Sequence, residues 1–150
     1  MQEIKKIVWY IYKEYYFCRI VSLNDKIFGL FGLEADDVKI SVESDDAVQV
    51  VNFTGRLDVS VSDQVWTKLS GLFDHRTMII SMAHCDYVSS AGIRVLIMLA
   101  KAAKSRNTRL ILAEVCDEVR EVFEMTGFIN LLECVPTIAE ARQLTGRRSL

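Results

Sequence analysis

The sequence predicts an α/β fold, with a mixed, mostly parallel sheet opened by a β-hairpin and packed by about four helices. Three observations carry this. Two β-patterned runs near residue 40 are separated only by a polar turn. After them, short apolar runs of strand length alternate with longer runs of helical spacing, the pattern of strand-helix-strand crossovers. Boundary signals then close the pattern, with Gly127 after one helical run and the single proline, Pro136, between the last strand and the last helix.

Taken in order, Val38-Lys39-Ile40-Ser41-Val42 alternates with period two and reads as a half-buried strand. Glu43 to Asp46 forms a turn, and Val48 to Phe53 reads as the returning strand of the hairpin. Val61, Val65, Leu69 and Leu72 then follow helical spacing, with Ser60 or Ser62 as the cap. Met78 to Met82 has the composition of a buried strand, and a long helix from about Ser90 to Ser105 is apolar almost all round, as suits a helix packed on two sides. Arg109 to Ala113 supplies the next strand. Asp117 to Thr126 carries Val119, Val122, Phe123 and Met125 on a helix, and Gly127 sits where helices commonly end in a left-handed residue. Leu131 to Val135 reads as a short strand, and a final helix runs from near Thr137 to Leu144.

The first 34 residues have another character. Of the fourteen aromatics in the chain (two Trp, five Tyr, seven Phe), eight fall within the first thirty-one residues, among them Trp9, Tyr12 and Phe17. Residues 1–34 are therefore expected to form an aromatic-rich N-terminal extension, with a helix from about Glu3 to Ile20, ahead of a domain spanning 35–150. Its apolar surface suits packing on the domain or on a second copy in a homodimer, the alternative being a surface-attaching amphipathic segment.

Bulk properties bound the function. At 150 residues and 51% hydrophobic content, the chain holds one domain with a proper core. A formal net charge of −2 gives no broad basic surface, so direct nucleic-acid binding is not expected. The four cysteines, Cys18, Cys85, Cys116 and Cys134, are widely separated and lack metal-ligand spacing, which points to reduced thiols in the cytoplasm and to no metal. No run reaches the ~20 apolar residues of a membrane span. No cofactor motif is present, neither Gly-x-x-x-x-Gly-Lys-Ser/Thr nor Gly-x-Gly-x-x-Gly.

The most informative stretch is Cys85-Asp86-Tyr87-Val88-Ser89-Ser90-Ala91-Gly92-Ile93-Arg94, where an apolar strand gives way to the long helix. A serine at a helix start accepts a hydrogen bond from an otherwise unpaired amide, and those amides also favour a nearby negative charge. A phosphate added to such a serine is therefore compatible with the fold. A serine-hydrolase reading would use Ser89, Ser90, His84, His75, Asp86 and Asp58, but the turn is not a Gly-x-Ser-x-Gly elbow and no oxyanion loop accompanies it. The chain is not expected to be an enzyme.

Together with Phe53-Thr54-Gly55-Arg56-Leu57-Asp58 and Val119 to Phe128, the serine junction resembles the anti-sigma factor antagonists, also called STAS domains, over roughly residues 37–144. That family has Gly-x-Leu/Ile-Asp at one strand end, a hydrophobic-Asp-Ser-Ser/Thr-Gly turn, and a later Met/Thr-Gly-Leu/Phe. The resemblance places Ser90 on the serine that a partner kinase phosphorylates, Ala91 on the second Ser or Thr, and Gly92 on the glycine. Ser89 stands where many members carry aspartate, in the Ser-Ser-Ala-Gly form of the turn. It implies a STAS-type fold and an anti-sigma factor antagonist acting by partner switching. Its binding surface would be Asp58, Ser89, Ser90, Ala91 and Gly92. Its partners would be an anti-sigma factor of the serine-kinase type and a resetting serine phosphatase. The alternative is a STAS adaptor that never switches, as a subunit of a transporter or signalling complex. Asp58 can also cap the next helix, Gly55 and Gly92 suit turn geometry, and Met125, Gly127 and Phe128 read as structural.

Overall fold

The computed structural model describes residues 38–146. The expected N-terminal extension, its helix and its pairing surface, along with the basic end of the chain, lie outside the described residues. Five strands form one sheet in the order β1-β2-β3-β4-β5. They are β1 (Lys39–Ser44), β2 (Val48–Leu57), β3 (Thr77–Val88), β4 (Leu110–Ala113) and β5 (Cys134–Val135). The first pair is antiparallel, with Val42 opposite Val51, and each later pair is parallel. Four α-helices join or follow these strands: α1 (Val59–Ser70), α2 (Ser90–Ser105), α3 (Asp117–Thr126) and α4 (Ile138–Gly146).

The sheet separates two apolar layers. On one face Val51, Phe53, Met78, Ile80, Met82, Leu110 and Leu112 pack with Val61, Val65 and Leu69 of α1, Leu96 and Leu99 of α2, and Phe123 of α3. On the other, Val48, Val50, Ile79, Ile111 and Ala113 meet Ala141 of α4, with Ile138 and Leu144 beside it. Right-handed crossovers account for the sidedness: three successive parallel connections stepping across the sheet in one direction lay their helices on one face. The helix after β5 is then the one that covers the opposite face. The near-continuous apolar surface of α2 follows from its position, since it packs on the sheet and on α1 together.

Several boundaries differ from the sequence expectation. β3 continues past Met82 to Val88, although Ala83, His84, Asp86 and Tyr87 are exposed and break the alternation. Its register with β2 slips twice, between Asn52 and Thr54 and between Thr54 and Arg56, and Gly55 between them has φ 119°. That conformation is one L-residues rarely adopt, so the expected turn glycine sits inside a bulged strand. The last strand is only Cys134–Val135, because Phe128–Asn130 closes a 3₁₀ turn directly after α3. Gly127 ends α3 with φ 77°, the left-handed cap its sequence predicts. Met125 is 79% exposed and contributes nothing to the core, contrary to its structural reading.

Candidate functional site

The ends of β2 and β3 lie side by side, and each feeds a helix. Leu57 pairs with Val88 in the parallel register, and both side chains are buried beneath α1 and α2. Asp58 then caps α1: its Oδ1 accepts from the Ser60 amide at 2.9 Å and from the Ser60 hydroxyl at 2.6 Å. Of the caps that the sequence offers for this helix, Asp58 is the one used, and the expectation of Ser60 or Ser62 is corrected. The Ser62 hydroxyl instead donates back to the Asp58 carbonyl oxygen at 2.5 Å. One carboxylate oxygen thus accepts from both Ser60 donors at once.

One strand across, Ser89 caps α2, with its Oγ accepting from the Gly92 amide at 3.3 Å. Its own amide donates to the Leu57 carbonyl oxygen at 2.9 Å, extending the β2–β3 ladder by one bond. Ser90 is the first residue of α2 and is half-buried, as are Asp58 and Ser89. Ala91 and Gly92 are buried. Gly92 is needed for closeness and not for a turn: a Cβ there would lie 2.7 Å from Leu57 Cγ and nearer still to the Leu57 carbonyl oxygen. Backbone at the end of β2 therefore packs directly on the first turn of α2, which fixes where Ser90 stands relative to Asp58.

Beside this pair lies a feature that the sequence did not single out. Arg56 and Tyr87 are register partners, and the guanidinium carbon of Arg56 stands 4.1 Å from the centre of the Tyr87 ring. Arg56 Nε is also 4.0 Å from Asp58 Oδ2, too long for a hydrogen bond. Tyr87 remains 41% exposed and Val59 37% exposed. The only sequence signal would have been an arginine and an aromatic at two strand ends, and pairing them requires a register that two bulges shift. Below them runs an open groove of about 720 Å³ lined by Thr54, Arg56, His84, Asp86 and Glu118 among others.

The remaining candidates separate from the site. His84 is exposed within β3, and His75 is exposed in the loop before it, so neither stands with Ser89 and Ser90 as a base in a triad. Among the described residues no group of three or more His, Cys, Asp or Glu side chains is placed to hold a metal ion, and no helix is long and apolar enough to cross a membrane. Cys85 and Cys116 are free thiols near the groove. The Cys116 thiol donates to the Cys85 carbonyl oxygen at 3.3 Å, and burial raises the pKa of Cys85. The same cause raises Cys134.

Known proteins resemble this chain in sequence or fold to different extents. BtrV of Bordetella bronchiseptica, named as an anti-sigma factor antagonist, is 29% identical over 96 residues, covering 63% of this chain and 83% of its own. The structure of the anti-sigma factor antagonist SpoIIAA in its unphosphorylated form superposes with a TM-score of 0.60 at 20% identity, over 75% of this chain and 98% of that one. Murine Slc26a9, an anion transporter in an inward-facing state, contains a similar unit: the TM-score is 0.64 at 15% identity, over 81% of this chain and 24% of the transporter. The STAS domain family model matches residues 39–141, from the first strand of the hairpin to the helix that covers the far face of the sheet. With the hairpin, the three one-sided crossovers and the capped serine turn all inside that match, the chain belongs to the STAS domain family.

Proposed function

We propose that this chain is an anti-sigma factor antagonist whose unphosphorylated form binds an anti-sigma factor of the serine-kinase type through the edge formed by Asp58, Ser89 and Ser90. Ala91 and Gly92 shape the backbone of that edge. The observation that carries the proposal is the position of Ser90, half-buried at the first residue of a helix and one strand across from the Asp58 carboxylate. In the reaction the Ser90 hydroxyl oxygen attacks the γ-phosphorus of ATP held by the partner. The bond to ADP breaks, and the hydroxyl proton passes to a base on that partner. The product carries roughly −1.5 to −2 charges where a dry contact had formed, which repels carboxylates opposite and raises the cost of closing the interface. The fold survives, since the phosphate sits at a helix N-terminus. A serine phosphatase removes it. The chain acts in the cytoplasm and regulates transcription without touching DNA.

A second reading, a non-switching adaptor within a transporter or signalling complex, draws on the similarity to the unit in Slc26a9 and on Ser89 standing where many relatives carry aspartate. The test is phosphorylation of purified chain by the anti-sigma kinase and ATP, with phosphate located by peptide mapping. Ser90→Ala is expected to fold, bind and resist phosphorylation, and Ser90→Asp to fold and bind more weakly. Phosphate on Ser89 instead would show the turn misaligned by one residue, and none on either serine would favour the adaptor.

Residues 35–150 are proposed to form the folding unit, with 1–34 serving as an accessory surface able to pair two copies. A chain beginning near Glu34 is then expected to stay soluble and melt cooperatively. An insoluble or molten product would place part of the core upstream of the hairpin.

A further inference from the structure

We infer that Arg56 and Arg94 together form a receptor for the phosphate of phosphorylated Ser90. The inference rests on Ser90 being the modified residue, and it specifies how the off state is built. Arg94 lies four residues beyond Ser90 in α2, one helical turn away on the same face. Arg56 arrives from the neighbouring strand. It is paired with Tyr87, Leu57 with Val88, and the Ser89 amide bonds the Leu57 carbonyl oxygen, so the two strand ends run together to the foot of α2. The Arg56 head already reaches toward that end, since its Nε lies 4.0 Å from the Asp58 carboxylate. Two cations from two elements, one a helical turn from Ser90 and the other at the end of the adjoining strand, thus lie at the same edge as that hydroxyl, beside the amides of a helix N-terminus.

The state of Arg56 is that of a donor set awaiting an acceptor. Its side chain is 57% exposed, and its guanidinium carbon lies 4.1 Å from the centre of the Tyr87 ring, a cation–π contact that leaves N–H groups for an acceptor. Asp58 does not satisfy it: the 4.0 Å separation is a loose, solvent-screened pair, and Oδ1 of that carboxylate is already engaged by Ser60. A phosphate brings nearly twice the charge of a carboxylate and three acceptor oxygens, in a geometry that an arginine fork matches with two parallel bonds. Arg56 therefore turns from Asp58 and Tyr87 to the phosphate. The contact surface is altered at Tyr87 and Asp58 as well as at Ser90, and an aspartate substituted at 90 reproduces only part of that change.

The test uses the full chain with phosphoserine placed at position 90 during translation, so that it does not depend on any kinase. Phosphorus NMR follows the second ionisation of the phosphate, which is near 6 in free phosphoserine. Nearby cations favour the dianion, so the wild-type chain is expected to titrate at least about half a unit lower than the Arg56→Gln, Arg94→Gln double variant, each single variant falling between. Asp58→Asn, which removes the opposing carboxylate, is expected to lower the value further. Arg94 is half-buried, so Arg94→Lys, with the charge kept and the fork lost, stands in if the glutamine variant unfolds, while exposed Arg56→Gln is decisive alone. Identical titration of wild type and Arg56→Gln overturns the receptor. If instead the receptor titrates as described while no kinase modifies Ser90, the functional reading falls and the receptor chemistry stands.

Discussion

Where β2 and β3 enter the sheet, charge is fastened down; where they leave it, charge is held loosely in the open. At the entry end Asp45 accepts from the amides of Ala47 and Val48 at 2.9 Å each and from Arg142 of α4 at 2.5 Å. Asp74 takes the amide and guanidinium of Arg76 and the side-chain amide of Gln49, while Arg76 also donates to the Asp45 carbonyl oxygen at 3.2 Å. Arg109 and Glu133 form a close two-pronged pair at the start of β4 and β5. At the exit end the comparable pair, Arg56 with Asp58, stands at 4.0 Å beside exposed Tyr87 and Val59. The same sheet thus joins its turns at one edge and leaves a polar, aromatic surface at the other, as α/β proteins do when binding residues gather at the carboxyl ends of strands.

The sharpest way to break this comparison is Gly92→Ala. The added methyl would meet the Leu57 backbone, which cannot swing aside as a side-chain tip can, so a loss of about 3 kcal/mol is expected from urea unfolding. A loss under ~1 kcal/mol would mean that α2 can shift and that the exit edge is less fixed than described. Next in size, Asp58→Ala is expected to cost about 1 kcal/mol through the lost cap, whereas Asp58→Asn keeps the cap and weakens partner binding at nearly unchanged stability. Equal losses of binding and stability in Asp58→Asn would assign the residue to capping alone. Ser89→Ala is expected to cost about 0.5 kcal/mol, the low end for a cap, because its bond to Gly92 is 3.3 Å long.

The entry end supplies the smallest effect. Hydrogen bonds from Arg142 and the turn amides hold Asp45, and those from Arg76 hold Asp74, each lowered from 3.8 to about 2. A depressed carboxylate stabilises the fold above its unfolded value, so this contribution is complete above about pH 4 and is lost as pH falls toward 2. Both groups are open to solvent, which screens the effect. Urea midpoints compared at pH 4.5 and pH 2 are expected to fall less in an Arg76→Ala, Arg142→Ala double variant than in wild type. An unchanged pH slope would show that the pairs contribute nothing.

The elements that sequence made legible are those set by local pattern. The hairpin follows from period two, α2 and α3 end where helical spacing and Gly127 say they do, and the serine junction was visible as a strand meeting a helix. What stayed hidden depends on neighbours across the sheet. The last six residues of β3 carry two exposed pairs, and only pairing with a bulged β2 keeps them extended. Asp58 and the serines at 60 and 62 were both legible as caps, but the choice between them was not: β2 runs on to Leu57, which puts the Asp58 carboxylate at the non-helical position. The Arg56–Tyr87 stack needed a register that no single segment encodes. In the candidate site, the serine turn and Asp58 were visible as local motifs, while their relative placement and the Arg56–Tyr87 pair beside them were not.

The contact between Gly92 and Leu57 bears on kinetics. Because backbone meets backbone there, the serine turn has little slack, and a complex formed at this edge, as proposed, would need no rearrangement of the turn beforehand. Encounter would proceed at rates set by diffusion and surface charge, and chemical changes confined to the exit edge would register mainly in how long the complex lasts. Under the proposed switch, a clock built this way would be set by residence time: the rigid turn would keep the arrival rate steady, and modification would shorten the stay.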